Sequence, residues 1–295
     1  METRHLRYFI AVANSGSLTR AAEVLGIAQP ALSQALARME ATLGVKLFHR
    51  SRRGAELTPA GLAILEDVQL SVTRIDSAEE HARLIQQGVA GRLTIAFVAT
   101  AAIHLLPQAL FEHRQKIPNV RFVLREMSNI EQVRALENGE VDLGILYTPV
   151  EINGRMRQRV IARDRMVAVV PHDFPLDDDG MVSLRDMARA GLVFFGKDET
   201  PTLRAEILNV MRELGEPAQI VQEASRTMTV LACVAAHCGV SLLSSTTSHV
   251  SFPGVRYVEI RESHLLPILE LGTVWPARSR ASLADGFARL LPLCG

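Results

Sequence analysis

The chain has 295 residues, of which 48% are hydrophobic and 22% charged, and its 32 basic and 32 acidic side chains leave a formal net charge of zero. This composition is typical of a soluble globular protein and excludes collagen, coiled-coil rods and bulk disorder. The length exceeds what one compact core usually holds, so we expect two or three domains.

Several classes of site and segment are absent from the sequence. No run of about 18 uncharged apolar residues occurs, so we expect no membrane partner. The first seven residues lack the apolar core of a signal peptide, which predicts a cytoplasmic protein. Three cysteines make no disulfide framework, and the nine histidines show no metal-binding spacing. We therefore expect no metal, no cofactor and no catalytic residue.

The charges are unevenly distributed along the chain. Residues 1–60 carry eight basic and four acidic side chains, a net charge of +4, and the remaining residues carry a net charge of −4. A basic head on an acidic body indicates a polyanionic partner for the head only. Chance alone could also produce a charge difference of this size, so the motifs are needed to distinguish a polyanionic partner from a chance distribution.

The head begins with two predicted helices. Apolar residues recur at helical spacing from Leu6 to Ala13 and then stop at a polar turn. Ser17 is a good N-cap for a second helix, and Gly26 is a good residue to end it.

A third predicted helix follows, with Pro30 in its first turn. Its inner face is apolar, and its outer face carries amide, hydroxyl and guanidinium groups, namely Gln29, Ser33, Gln34 and Arg38. Two short helices joined by a turn with Gly form a helix-turn-helix, and such an outer face can bind base edges and phosphates in a major groove. The alternative is an ordinary helical hairpin with a solvated polar face.

A small β-hairpin is predicted next, with strands at 47–50 and 55–58. Its tip is rich in arginine: Arg50, Arg52 and Arg53. Guanidinium groups on such a wing suit contact with phosphates or the minor groove, although a solvated turn could carry them too.

Taken together, these motifs resemble the LysR-type transcriptional regulators. The resemblance covers about 60 residues almost without gaps and includes Leu6-Arg7-Tyr8-Phe9, Gly16-Ser17-Leu18-Thr19-Arg20-Ala21-Ala22, Ala28-Gln29-Pro30-Ala31-Leu32-Ser33, Leu43-Gly44-Val45-Lys46-Leu47-Phe48 and Leu57-Thr58-Pro59-Ala60-Gly61. It implies double-stranded DNA as partner, with Gln29, Pro30, Ser33, Gln34 and Arg38 on the recognition helix and Arg50, Arg52 and Arg53 in the wing. Many members have Ser where this chain has Ala28, which removes a possible helix cap or phosphate ligand.

The pair Thr58-Pro59 predicts the start of a long helix, because no Pro or Gly interrupts residues 62–87. A helix over 59–87 would span about 43 Å. Its apolar residues at 3–4 spacing suit a seam between two helices or burial against the chain's own body; they are Leu65, Val68, Val72, Ile75 and Ala82. We expect a dimer through this helix, as the resemblance also implies, and the family commonly forms tetramers. Residues 88–91 are the expected hinge.

From residue 92 onward, apolar runs alternate with helical segments. The runs begin at Leu93, Val120, Leu143, Met166, Leu192, Val240 and Ile268. Such alternation predicts parallel sheets covered by helices. Ligands of such sheets bind beyond the carboxyl ends of the strands, often against helix N-termini.

Three of these strand ends offer free backbone N–H groups and a hydroxyl, so their residues are candidates for binding a small carboxylate. They are Thr100, then Ser128 and Asn129, and finally the group Phe195, Gly196, Thr200 and Thr202. Plain N-capping explains the hydroxyl and amide side chains equally well at any single position.

The resemblance to the LysR-type family extends more weakly into this region. It implies an effector domain like a periplasmic binding protein, with lobe one at 92–161 and 267–295, lobe two at 162–266, and Thr227 and Met228 facing the cleft. The expected fold is thus an all-α winged helix-turn-helix domain at 1–58, a linker helix at 59–87, and an α/β effector domain of two lobes.

The expected function is sequence-specific DNA binding controlled by a small-molecule effector, a small carboxylate or aromatic acid. The alternative is an α/β ligand-binding protein or enzyme acting on a small carboxylate.

Overall fold

The computed structural model describes residues 2–51, 54–86, 91–152, 154–197, 201–277 and 283–292. The chain forms two compact units, the first built on residues up to 88 together with 137–140, and the second on residues 89–136 and 141–295. None of the helices in these described ranges is long and apolar enough to cross a membrane.

The helices are α1 (Thr3–Ser15), α2 (Leu18–Leu25), α3 (Gln29–Leu43), α4 (Pro59–Gln86), α5 (Ala99–Ile103), α6 (Leu105–Lys116), α7 (Asn129–Glu137), α8 (Leu184–Ala190), α9 (Pro201–Glu213), α10 (Thr227–Ala235) and α11 (Leu283–Leu290), with short 3₁₀ helices at Ser245–His249 and Ser263–Leu265. The strands are β1 (Phe48–Ser51), β2 (Gly54–Leu57), β3 (Gly91–Phe97), β4 (Val120–Glu126), β5 (Leu143–Thr148), β6 (Met156–Asp164), β7 (Met166–Pro171), β8 (Leu192–Phe195), β9 (Ile220–Ala224), β10 (Ser241–Ser244), β11 (Val255–Val258) and β12 (Leu269–Pro276).

Local signals set the ends of the helices in the first unit. The Ser17 hydroxyl accepts a hydrogen bond from the Arg20 amide at 3.4 Å, so its predicted role as N-cap of α2 is confirmed. Gly26 follows α2 with φ at 65°, a left-handed conformation that favours glycine. The apolar faces of α1, α2 and α3 then share one core, which contains Phe9, Leu32 and Leu36 at its centre.

The long helix α4 begins at Pro59, and the Thr58 hydroxyl accepts a hydrogen bond from the Gly61 amide at 3.0 Å. With 28 residues, α4 is about 42 Å long. Two residues of the expected seam, Val68 and Val72, lie buried in the core of the chain's own first unit, and Leu65 packs against that core. Val68 and Val72 are therefore used for the chain's own core, to which α1 also contributes.

Lobe one of the second unit is built on a five-stranded sheet in the order β4-β3-β5-β12-β6. Strand β3 runs parallel to β4 and β5, whereas β12 runs antiparallel to both β5 and β6. Helices α6 and α11 pack beside the sheet and contribute to its core. The fully buried residues of that core include Leu93, Ile95, Leu143, Ile145 and Phe287.

Lobe two contains an antiparallel sheet in the order β10-β7-β11 and a parallel pair, β8 and β9. The expectation of parallel sheets is therefore correct for β3-β4-β5 and β8-β9 and wrong for β7, β10, β11 and β12. Alternation of strands and helices indicates crossover connections, but it does not specify which strands become neighbours.

The chain passes from lobe one to lobe two after β6 and returns before β12. Strand β6 continues to Asp164, so the crossing lies beyond residue 161, where lobe one was expected to end.

Candidate nucleic-acid interface and ligand cavity

The outer face of α3 presents the polar side chains that a recognition helix requires. Pro30, Gln34 and Arg38 are four residues apart and therefore lie on one face, and all three are exposed. Gln29 is also exposed, and Ser33 is half-buried. The helix starts at Gln29 although Ala28 provides no side-chain cap, because the amides of Ala31 and Leu32 donate to the Ala28 carbonyl.

A buried carboxylate near the end of α3 holds the start of the hairpin formed by β1 and β2. Glu40 is 3% exposed, and its Oε1 accepts hydrogen bonds from the amides of Leu47 at 3.0 Å and Phe48 at 3.3 Å. Its Oε2 accepts a hydrogen bond from Lys46 Nζ at 3.0 Å. Glu40 thus fixes the hairpin relative to α3, a role that the sequence analysis missed.

The other strand of the hairpin is anchored to the turn between α1 and α2. The Ala55 amide donates to the Gly16 carbonyl at 2.8 Å. Gly54 has φ at 144°, and a Cβ atom there would lie 2.5 Å from the Gly16 carbonyl oxygen, so no other residue fits. Of the predicted wing arginines, Arg52 and Arg53 lie outside the described residues, as does the side chain of Arg50.

The second unit contains a cavity of about 90 Å³ between its two lobes. Lobe one contributes the N-terminal ends of α5 and α7 together with Tyr147, and lobe two contributes the N-terminal end of α10 and parts of β7, β8, β10 and α9. The walls are mainly apolar and include Val98, Met127, Met166, Phe194, Ile207 and Leu242.

The cavity brings together five of the residues that the sequence singled out, namely Thr100, Ser128, Asn129, Phe195 and Thr227. The other described candidates do not line the cavity. Gly196 lies beyond the lining, Thr202 is exposed on the first turn of α9, and the Met228 side chain is 55% exposed because it projects from the outer face of α10. Thr200 lies outside the described residues.

Two of these residues have structural partners that occupy their polar groups. Ser128 and Glu131 form a capping box, in which the Ser128 amide donates to Glu131 at 2.7 Å and the Glu131 amide donates to the Ser128 hydroxyl at 3.4 Å. The Asn129 side chain donates to the Tyr147 carbonyl at 2.7 Å and accepts from the Tyr147 amide at 3.0 Å. The Asn129 amide group therefore holds β5 and retains one N–H and one lone pair for other partners.

A hydroxyl network that the sequence did not indicate borders the same cavity. Thr100 Oγ1 lies 2.9 Å from Tyr147 Oη, and Ser244 lines the cavity as well. Burial raises the pKa of Tyr147, so its phenol stays protonated. The hydrogen bond between Thr100 and Tyr147 joins residues 47 positions apart, which no local pattern could have shown.

Asp164 lies behind this network, at the end of β6. It accepts hydrogen bonds from the hydroxyls of Ser244 and Ser245, and from the Thr246 amide at 3.0 Å and hydroxyl at 2.8 Å. Burial alone would raise the pKa of Asp164, but the four hydrogen bonds outweigh it and hold the pKa below its ordinary value. Asp164 is therefore an ionised acceptor near neutral pH.

Arg226 is the one cation among the described residues that line the cavity. It precedes α10 as its N-cap and forms an ion pair with Glu131 of lobe one, with 3.6 Å between Nη2 and Oε2. The hydrogen bond from the Ser128 amide lowers the pKa of Glu131, which keeps this partner charged. The pair therefore bridges the two lobes beside the cavity.

No cluster of three or more His, Cys, Asp or Glu side chains suited to a metal ion occurs among the residues for which the structure gives positions.

A helix-turn-helix with an exposed polar face, followed by an α/β unit that encloses a ligand-sized cavity, defines a DNA-binding regulator with an effector-binding domain. Residues 3–62 match the family model described as bacterial regulatory helix-turn-helix protein, lysR family, and residues 86–292 match the LysR substrate binding domain. The chain belongs to the LysR family of transcriptional regulators, as the resemblance predicted, and its fold class is confirmed.

Relatives of this chain match over nearly its whole length. It is 34% identical to the uncharacterized HTH-type transcriptional regulator YnfL of Escherichia coli over 96% of this chain and 95% of that protein. It is 33% identical to the HTH-type transcriptional regulator IlvR of Caulobacter vibrioides over 99% of this chain and 97% of that one. Among solved structures, full-length CbnR complexed with its target DNA shares the fold, with a TM-score of 0.77, 23% identity and 99% coverage of both chains.

Proposed function

We propose that this regulator acts as a homo-oligomer whose binding to double-stranded DNA is controlled by a small carboxylate with an apolar or aromatic body. The cavity of the second unit carries this proposal, because among its mainly apolar walls the cation Arg226 lies beside the N-termini of α7 and α10, while the only carboxylate among the described lining residues is that of Glu126. A DNA-binding regulator works in the compartment that holds the chromosome, so a cytoplasmic location belongs to the proposal.

The N-termini of α7 and α10 favour an anionic ligand. The first amides of a helix have no partner within it, and the helix dipole attracts negative charge to this end. Asn129 and Thr227, which open these two helices, both line the cavity. Arg226 lies beside them, and its exposed pair with Glu131 is too weak to prevent it from sharing its charge with a bound carboxylate.

The aromatic and aliphatic walls favour an apolar body on that acid. Phe194, Phe195 and Tyr147 line the cavity together with aliphatic side chains. A benzoate-like or short aliphatic acid would bury its apolar atoms there, and each buried CH₂ contributes about 0.8 kcal/mol.

On the DNA side, the exposed face of α3 and the wing are the proposed contacts. Gln34 and Arg38 face outward on α3, where a recognition helix meets base edges and phosphates. A dimer would place two such helices at half-sites about one helical turn apart. We propose that the dimer forms through α4, on which Leu62 is 62% exposed and Ile75 is half-buried.

The effector controls DNA binding by favouring one arrangement of the oligomer. The effector must bind one arrangement more tightly than the other, since equally tight binding to both would not shift the equilibrium between them. A change in how the dimers associate then changes the spacing and bend of the bound DNA.

A ligand screen on the full-length protein tests the carboxylate assignment. We expect small aliphatic and aromatic carboxylates to raise the melting temperature and the matching primary amides to have no effect, because only the acid is anionic. Arg226→Gln should weaken binding of the best acid about tenfold, whereas Arg185→Gln, an exposed site on α8, should leave it unchanged. Equal responses to acids and amides would contradict an anionic effector.

An enzyme acting on a small acid is the competing function. We propose that the protein does not convert its ligand, so the bound acid should be recovered unchanged after prolonged incubation at equimolar concentration. Any product detected by NMR that requires the native protein would contradict the pure sensor.

A further inference from the structure

The charged side chains on the cavity wall lie in two places. Arg226 lies beside the N-terminal ends of α7 and α10, and Glu126 carries the only carboxylate among the described residues that line the cavity. Glu126 is the last residue of β4, three positions before Asn129, where α7 begins. Three residues span at most about 10 Å, so one small molecule can reach Glu126 and the first amides of α7 at the same time.

The two charged side chains differ in whether a neighbour already compensates them. Arg226 has a partner, because its Nη2 lies 3.6 Å from Glu131 Oε2. The Glu126 side chain is exposed and makes no hydrogen bond or ion pair with another residue that the structure describes. The described wall therefore holds one cation that shares its charge with a neighbour and one carboxylate that can accept a donor from the ligand.

This distribution of charge disfavours a simple anion as the ligand. A molecule that carries only a carboxylate would bring its charge close to that of Glu126, and the two like charges would repel each other. A molecule that also carries an ammonium group would replace this repulsion by attraction, because the ammonium donates hydrogen bonds and the carboxylate of Glu126 accepts them. A zwitterion therefore matches both charged places on the wall.

We propose that the effector is an α-amino acid with an apolar side chain, whose ammonium group binds Glu126. The carboxylate half of this inference rests on the proposed function, in which that group lies at Arg226 and the N-termini of α7 and α10. The ammonium half rests on Glu126 alone. The apolar side chain of the amino acid lies against the part of the wall formed by Phe194, Ile207 and Leu242.

Matched ligands test the inference on the full-length protein by calorimetry. Leucine is compared with 2-hydroxy-4-methylpentanoate, which has a hydroxyl in place of the ammonium, with 4-methylpentanoate, which has neither group, and with leucinamide, which has no carboxylate. Phenylalanine, 3-phenylpropanoate and phenylalaninamide form an aromatic series. We expect the amino acid to bind about tenfold more tightly than the other members in at least one series, because only the amino acid carries both charges.

The outcomes separate this inference from the proposed function. If acids bind but neither amino acid binds more tightly than its deaminated partners, the ammonium inference is overturned and the carboxylate assignment stands. If the amino acid and its amide bind equally and the deaminated acid binds weakly, the ammonium inference stands and the carboxylate assignment fails. If no compound binds, both fail.

Substitution of Glu126 should change two affinities in opposite directions. Glu126→Gln removes the partner of the ammonium, so the amino acid should bind about tenfold more weakly. The same change removes the repulsion of a simple anion, so 4-methylpentanoate should bind about threefold more tightly than it does to the wild type. Glu126→Lys should enlarge both changes. A purely structural role of Glu126 would weaken both ligands together.

Glu206→Gln is the matched control. Glu206 is exposed on α9, a helix that reaches the cavity, but it lies outside the lining, so this change should alter neither affinity. The circular dichroism spectrum and the melting temperature without ligand should match those of the wild type in all three variants, which establishes that they fold. An equal loss of affinity for leucine and 4-methylpentanoate in Glu126→Gln, or an unchanged affinity for leucine, would overturn the inference.

Discussion

The two units of this regulator place their functional groups in opposite environments. In the first unit, Gln34 and Arg38 stand exposed on α3, and the core beneath them is apolar. In the second unit, the polar groups face an internal cavity, where Thr247 is 1% exposed. Substitutions on the exposed face of α3 can therefore change DNA specificity without disturbing the core of the first unit. Substitutions around the cavity, by contrast, affect ligand binding and stability together.

The largest effect is expected where the first unit departs from this rule, at the buried carboxylate of Glu40. Glu40→Ala leaves the amides of Leu47 and Phe48 without their acceptor, so the first unit should lose about 2–4 kcal/mol of stability. Operator binding should be abolished, because the hairpin is no longer fixed to α3. Chemical denaturation and a gel-shift assay measure the two effects.

Glu23→Ala, an exposed site on α2, is the matched control and should leave both values unchanged. Ligand binding to the second unit should persist in Glu40→Ala; its loss would show that the two units do not respond separately.

The wing offers the next largest effect. Arg52→Ala combined with Arg53→Ala should weaken binding to all DNA sequences alike and reduce the slope of log affinity against log salt by about 2, since two phosphate contacts are lost. Titrations at several salt concentrations on operator and random DNA provide the measurement. An unchanged affinity at both low and high salt would remove these arginines from the interface.

Gln34→Ala should have a smaller and more selective effect. Loss of a base contact lowers discrimination between operator and altered sites by about 1–3 kcal/mol while binding to random DNA stays constant. Competition assays with single-base operator variants measure this quantity. A uniform loss across all sequences would indicate that Gln34 contacts only phosphate.

The smallest effect concerns a buried histidine of the second unit. His113 is 1% exposed between the rings of Phe122 and Phe287, and neither ring nitrogen has a partner in the described parts of the chain. Burial lowers the pKa of His113, with a further contribution from the positive charge of Lys116. When the pH falls below about 6.5, His113 is protonated more readily in the unfolded chain than in the folded one. The free energy of unfolding should therefore decrease as the pH falls, by at most about 1.4 kcal/mol per pH unit.

Denaturation midpoints between pH 5 and 8 would show this dependence. His113→Leu should have a flatter profile than the wild type, and His172→Leu, an exposed site, should keep the original profile. An equally steep profile in His113→Leu would assign the acid sensitivity to other groups.

The same contrast explains how far the sequence could predict this structure. The caps at Ser17 and Thr58 and the turn at Gly26 are local signals, so the helices of the first unit follow from short stretches of sequence. The pattern on α4 left two interpretations open, because helical spacing identifies an apolar face but not its partner. Val68 and Val72 satisfy the spacing and pack on α1 of the same chain.

The cavity was less predictable, because its residues come from distant parts of the chain. The strand-end pattern located Thr100, and the family resemblance implied Thr227. Tyr147 meets Thr100, and Ser244 meets Asp164, only through the tertiary fold. Asn129 illustrates the opposite case, since it lies at the cavity and yet uses its amide group to fix Tyr147.

The position of β12 has a consequence for how this protein is made. Strand β12 lies between β5 and β6 and is the only strand with which β6 pairs among the described residues. Thr148 and Glu270, which face each other across β5 and β12, are 122 residues apart. During synthesis on the ribosome, β6 can therefore pair only after residues near 276 have emerged. All residues of the helix-turn-helix have emerged much earlier. In a nascent chain, the helix-turn-helix can thus fold long before the effector-binding unit can.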